Sequence, residues 1–541
     1  MVSADDEARK AQAAKRYEAD EEELTAQAVG ERVTNRTLSP KSESFKAFMT
    51  EGWGEVDPGV EPLESSKYIP ARLEALGRRF PDSRIVLPAG QPKARNNDCD
   101  YAFRADTSFA YYTGLGEDYE AGAVLVLDPV APDSPEAKAG RTHVATLYLR
   151  PRADQNTEDY YRSGYGEYWV GARPGLAEFT TMTGLQTRDI SQLDDALSKD
   201  VGPENGAVQL RVIREADAEV TGEVERIREQ NGWNDPDRNR AADDRLHEFA
   251  AEARMVKDEY EVGEIRKAVA ATHRGFDRML AALPRALDKP RSERILEGAF
   301  NANAREEGND EGYGTIVASG PHAATLHWER NTGSIDSGEL LLIDAGVEVN
   351  SLYTADITRT FPTNGKFTPF QRRLYEAVLK AQQAGFDAAK PGVTYHHIHD
   401  AVMRSIAESL HEFGILPVSV EESLSPEGQQ HRRWLACGVA HHLGLDVHDC
   451  AQARFESYQE RPITPGITFT IEPGLYFKEN DLLVPPEYRG IGIRIEDDVL
   501  MTENGPEWIS KAIPKQPDDV EAWMAEQASK AEKAQPSGKA Q

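Results

Sequence analysis

Apolar and polar positions along the chain fall into two regimes. From 60 to 235, short runs rich in Val, Ile and Leu are separated by amphipathic stretches. Arg84-Ile-Val-Leu-Pro88, Gly122-Ala-Val-Leu-Val-Leu127 and His143-Val-Ala-Thr-Leu-Tyr-Leu149 read as strands of a mixed α/β domain. Asn231-Gly-Trp-Asn-Asp-Pro-Asp-Arg-Asn-Arg240 interrupts the pattern, because Gly, Pro and Asn favour turns over continued helix. Beyond it, apolar positions recur with helical spacing over 241–283, switch to strands from about 313, and return to helical spacing over 369–413. The sequence carries no repeat at a solenoid period.

The two ends depart from this pattern. Residues 1–59 form a charged extension, and 514–541 are dominated by Glu, Ala, Lys and Gln. Neither shows an apolar stripe wide enough to dock, so both are expected as solvated tails, the second disordered. With 541 residues the chain is too long for one ordinary core. It divides into the extension, a smaller domain at 60–235, a second domain at 236–513, and the tail at 514–541.

Composition narrows the possible partners. Lys and Arg number 62 against 92 Asp and Glu, a formal charge of -30, which argues against a phosphate-binding surface and hence against nucleic acid. No apolar run approaches the ~20 residues that span a bilayer. The first residues are charged and lack a signal-like apolar stretch, so no membrane partner and a cytoplasmic location are expected. Cys99, Cys437 and Cys450 have no CxxC spacing and read as reduced thiols.

The chemistry gathers in the second domain. Glu339-Leu-Leu-Leu-Ile-Asp344 is an apolar strand ending on a carboxylate, and Tyr353-Thr-Ala-Asp356-Ile-Thr-Arg-Thr-Phe361 is a second strand containing one. Reversal at Asn350-Ser351 would set Asp344 and Asp356 side by side, two like charges in apolar surroundings that call for a cation. Glu472 ends another β-branched run and is held extended by Pro473; Glu496 follows on a later strand, sharing a face with Arg494. His441 adds a nitrogen donor. One imidazole among four carboxylates suits hard or borderline divalent ions, manganese above cobalt, iron or zinc. His396, His397 and His399 open an apolar helix after Lys390-Pro-Gly and are read as helix-start residues, and His442 points away from His441 on an extended segment.

Taken together, Ile343-Asp-Ala-Gly, Ala355-Asp-Ile-Thr-Arg-Thr, His441-His-Leu-Gly-Leu-Asp-Val-His, Ile471-Glu-Pro-Gly-Leu-Tyr and Tyr488-Arg-Gly-Ile-Gly-Ile-Arg-Ile-Glu-Asp-Asp resemble the creatinase/aminopeptidase, or pita-bread, metallopeptidases. Within them the similarity is to the Xaa-Pro aminopeptidase (aminopeptidase P) branch, over about 255 to 512. Asp106-Thr-Ser-Phe-Ala-Tyr-Tyr-Thr-Gly and Tyr168-Trp-Val-Gly resemble the same family's N-terminal domain.

The resemblance implies a C-terminal pita-bread catalytic domain preceded by a smaller creatinase-like α/β domain. It implies two divalent metal ions held by Asp344, Asp356, His441, Glu472 and Glu496, with Asp344 and Glu496 bridging. A hydroxide between the cations would attack the peptide bond before a proline in second position, and Glu472 would carry the proton to the leaving nitrogen. His327 and His448 are implied as catalytic, binding substrate and stabilising the tetrahedral charge. Tyr313, Cys437, Arg494 and Trp169 are implied on the substrate side, Tyr313 and Arg494 by orienting the acidic ligands. Trp169 would reach a neighbouring subunit's site in a homo-oligomer, dimer or tetramer.

Two departures from the pattern stand out. Cys437 falls where relatives carry a histidine, and the Asp344-to-Asp356 spacing is one residue longer. Two other readings fit parts of the pattern: a prolidase acting only on Xaa-Pro dipeptides, and a non-catalytic binding protein on the same fold. The second would ordinarily have lost ligands.

Overall fold

A computed structural model of the chain describes residues 42–534 except 55, 98, 117–120 and 203–207. Helix α1 (Glu43–Thr50) lies within the expected charged extension. None of its residues is buried, and it meets the rest of the chain through Phe45 edge-on to Tyr161 and Lys46 against Glu158. Helix α2 (Ile69–Arg79) leads into the first sheet.

That sheet has five strands, β1 (Ser83–Pro88), β2 (Val124–Pro129), β3 (His143–Leu149), β4 (Gln186–Asp189) and β5 (Gln209–Val212), in the order β4-β3-β2-β1-β5. The three strands expected from sequence form its antiparallel centre, while β4 and β5 join parallel at the edges through helical crossovers. Strand alternation decides the packing. Ile85, Leu87, Leu125 and Leu127 face the main core, and Val86, Val124 and Val126 pack on Val224 and Ile227 of helix α3 (Ala218–Gln230).

The turn-rich stretch after α3 ends at Asp235, whose carboxylate caps helix α4 (Pro236–Ala253). Helix α5 (Glu259–Ala286) opens with a capping box between Asp258 and Glu261. It packs on α6 (Glu293–Glu307), and α7 (Pro369–Ala388) packs on α8 (Tyr395–Glu412). These helices cover small antiparallel sheets, three of which carry or flank the site. One orders β6 (Ile316–Ser319), β7 (Leu340–Ala345) and β8 (Ile357–Pro362) as β8-β7-β6. The second orders β9 (Thr468–Ile471), β12 (Asp497–Thr502) and β13 (Gly505–Trp508) as β9-β12-β13, and the third pairs β10 (Gly474–Phe477) with β11 (Ile491–Arg494).

The C-terminal end corrects the expectation of a disordered tail. Pro517–Ala534 is a helix, α9, with Val520, Trp523 and Met524 buried. Trp523 enters an aromatic groove, 5.7 Å from the Phe361 ring and 6.2 Å from Phe276, and its indole N–H donates to Asp277 at 2.6 Å. A stripe of three apolar residues docks because a matching groove awaits it, which local periodicity does not report. Residues 535–541, like 1–41, lie outside the described residues.

Ion pairs tie the first domain to the second. Arg72 of α2 pairs with Asp258 at 2.7 Å at the start of α5, Arg104 donates to Glu348 at 2.8 Å and to the Leu445 carbonyl at 2.7 Å, and the Thr107 hydroxyl donates to Asp446 at 2.7 Å. No helix among the described residues is long and apolar enough to cross a membrane.

Candidate metal centre and active site

Register places the first two carboxylates. Asp344 lies opposite Thr358 in the β7–β8 pair, and Asp356, two residues earlier on the same face, is diagonal to it. The chain reverses around Ser351, with the Glu348–Thr354 bridge continuing the register and Leu352 at a positive φ of 69°. Both carboxylates are buried, and Tyr313 lies between them, its hydroxyl 2.7 Å from Asp344 Oδ1 and 2.6 Å from Asp356 Oδ1. One hydroxyl proton cannot serve two acceptors at once. The second oxygen of Asp344 pairs with Arg494.

Glu472 directly follows β9, and Glu496 lies in the two-residue link between β11 and β12. The Glu496 backbone N–H donates to Thr358 O at 3.1 Å, which seats it beside β8. His441 sits on an irregular segment alongside β9: the Thr470 N–H donates to its carbonyl at 3.0 Å. Its Nδ1 lies 3.0 Å from the His442 carbonyl, a contact that assigns a proton to Nδ1 and turns Nε2 toward the carboxylates. That Nε2 stands 3.4 Å from Asp356 Oδ2, 3.5 Å from Glu472 Oε1 and 3.9 Å from Glu496 Oε1.

Donor atoms of Asp356, His441 and Glu496 lie within 4.8 Å of one another, a spacing that suits one ion. The electrostatics agree. Burial raises the Glu472 carboxyl to about 7 against the pull of His441, with Asp356 pushing further. Burial and the neighbouring carboxylates hold Glu496 well above its ordinary range and raise Asp356. Burial opposes protonation of His441, but Asp356 and Glu472 carry it up to about 9. Carboxyls that resist ionising beside an imidazole that holds a proton describe a site short of positive charge. A divalent cation supplies it, so the residues fit a metal.

Of the remaining expected residues, His448 is exposed with its ring 4.5 Å from that of His441, and partial burial, His441 and His327 lower it to about 4. It is therefore a neutral imidazole at neutral pH. His327 is exposed on the loop after β6. Cys437 is half-buried, and burial with Glu472 nearby lifts its thiol to about 11, so it stays protonated. Arg494 and Tyr313 contact carboxylates of the cluster, which is an orienting geometry. Trp169 is 59% exposed on Glu167–Val170, and its indole N–H donates to Tyr161 O at 2.8 Å.

Sequence reasoning missed Thr358 and Tyr476. The Thr358 hydroxyl donates to Glu496 Oε2 at 2.8 Å and accepts from Arg494 Nε at 3.0 Å; the Tyr476 hydroxyl accepts from Arg494 Nη1 at 2.8 Å. The period-two alternation Asp356, Thr358, Thr360 was the available signal for the first.

Comparison with known proteins supplies the decisive observation. The profile of metallopeptidase family M24 matches residues 263–503, and that of the aminopeptidase P N-terminal domain matches 70–208. Xaa-Pro aminopeptidase 1 of Streptomyces coelicolor is 44% identical over 486 residues, covering 90% of this chain and 92% of its own. The chain belongs to the Xaa-Pro aminopeptidases of metallopeptidase family M24. Similarity extends to the Xaa-Pro aminopeptidase of Haemophilus influenzae, 31% identical over 85% of this chain and 98% of the other. Among solved structures, aminopeptidase PepP of Pseudomonas aeruginosa superposes with a TM-score of 0.71 at 30% identity, over 86% of this chain and 99% of the other. Aminopeptidase P from E. coli gives 0.71 at 29%, over 88% and 99%. Membership of this metallopeptidase family makes the protein a hydrolase with a pita-bread catalytic domain and implies divalent metal ions, which the acidic cluster fits.

Proposed function

We propose that this enzyme removes the N-terminal residue from peptides with proline in second position, using two divalent cations, with manganese the natural pair. The observation that carries the reading is the single cluster of Asp344, Asp356, His441, Glu472 and Glu496 in a chain 44% identical to an Xaa-Pro aminopeptidase over most of both lengths. Asp344, Asp356, His441, Glu472 and Glu496 would hold the ions. Bound cations acidify water and polarise the scissile carbonyl.

The chain's own residues do the rest. Glu472, with a carboxyl that titrates near neutrality in the unneutralised site, is suited to take a proton from the attacking water and pass it to the leaving nitrogen. His448 is neutral and, with His327, can donate hydrogen bonds to substrate and developing oxyanion. Arg494 and Tyr313 fix the acidic ligands. A proline nitrogen has no N–H to offer, so specificity rests on ring shape, and Cys437 lines that side. Cytoplasmic location and a homo-oligomer in which Trp169 reaches a neighbouring site belong to the same reading.

The test is hydrolysis of an Xaa-Pro-Yaa tripeptide by metal-stripped protein after adding back manganese, cobalt or zinc. Inactivity with every metal overturns the reading. Cleavage of Xaa-Pro dipeptides alone would move the assignment to prolidase.

A further inference from the structure

Glu293, the first residue of α6, has no exposed surface and lies outside the metal cluster. Its carboxylate is saturated by four donors, none from its own helix. Oε1 accepts from the Ser319 N–H at 3.0 Å and lies 2.8 Å from His322 Nδ1; Oε2 accepts from the Trp328 indole N–H at 2.9 Å and the Gly333 N–H at 2.6 Å. The four partners span one loop: Ser319 ends β6, Gly333 is its far end, and Trp328 adjoins His327. The His322 and Trp328 rings stack at 3.8 Å over this point. Packing leaves no slack, since a Cβ on Gly333 would sit 2.5 Å from His322 Cε1 and 2.8 Å from Glu293 Oε1.

A desolvated carboxylate is tolerated when its lone pairs are filled, and only a carboxylate offers two acceptor oxygens at this spacing. A glutamine of the same size would turn an NH2 group toward two N–H donors.

We propose that Glu293 is a positioning residue for peptide hydrolysis: it pins the 319–333 loop at both ends and at Trp328, and thereby fixes the reach of His327 toward the metal cluster. This rests on the peptidase reading and on the role given there to His327.

The test is a double-mutant cycle of Glu293→Gln and His327→Ala, read as kcat/KM on a tripeptide substrate, with hydrogen exchange of residues 319–333 measured in parallel. Misplacing a catalytic group by about 1 Å costs up to about 100-fold, so Glu293→Gln alone is expected to lose about 10- to 100-fold. In the His327→Ala background the same substitution should cost less than about two-fold, and the loop amides should exchange faster. Trp328→Phe, which removes one of the four bonds, should show the same non-additivity on a smaller scale and serves if Glu293→Gln does not fold. Fully multiplicative losses, or unchanged loop exchange, overturn the inference while leaving the peptidase reading intact. A fully active His327→Ala variant overturns the inference together with the role of His327, and an inactive wild type overturns the peptidase reading itself.

Discussion

At the scale of residues, the cluster is a crowd of acids around one imidazole, and its titration follows from that. Glu472 titrates at about 7 in the folded, metal-free protein against an ordinary 4.5, because burial and Asp356 disfavour its charge. A raised acid pKa gives stability that is complete below the unfolded value and is lost as pH climbs through the folded one. His441, raised from 6.5 to about 9, loses its contribution across a higher window. Stripped of metal, the protein should therefore become less stable as pH rises from 4.5 to 9, with Glu472 alone worth on the order of 3 kcal/mol. Thermal melts over that range should fall steeply without metal and flatten with manganese; a flat metal-free curve would contradict the assigned crowding. Glu472→Gln should lower kcat by about 10²- to 10⁴-fold, with bound metal measured separately to divide the loss between proton transfer and ligation. The acids themselves were legible in the sequence, since a carboxylate on an apolar strand is conspicuous. Thr358 was not, because a threonine on a strand is ordinary until Arg494 and Glu496 arrive from 136 and 138 residues away.

At the scale of elements, strands and long helices were readable where their periodicity is internal. Helix α9 was not, because its stability comes from its partner. Trp523 fills a groove between Phe276 and Phe361, so Trp523→Ala should destabilise by about 3–5 kcal/mol, measured by denaturant unfolding. Truncation before Pro517 should do at least as much and bare that aromatic surface. The turn at 231–235 was visible from composition, but its meaning was not: it lets α4 fold back so that buried Asp243 accepts from Arg228, Arg214 and the Val212 N–H. Asp243→Ala leaves two guanidinium groups without that partner and should cost about 3–5 kcal/mol.

At the scale of the whole molecule, the acidic surface and the two-domain plan were evident from sequence, and the joint between the domains was not. Arg104 and Thr107 hold Glu348, the Leu445 carbonyl and Asp446, so the first domain grips the very segment running from His441 to His448. Arg104→Ala should then reduce kcat/KM as well as stability, by releasing that segment; steady-state kinetics beside a melting curve would separate the two, and unchanged kinetics would confine the contact to the scaffold. The same grip limits how the halves can diverge. A base at 104 and acids at 348 and 446 are useful only as a set, so these positions should drift together across lineages, and a chimera joining the front half of one relative to the back half of another should work best when that trio is inherited from a single parent.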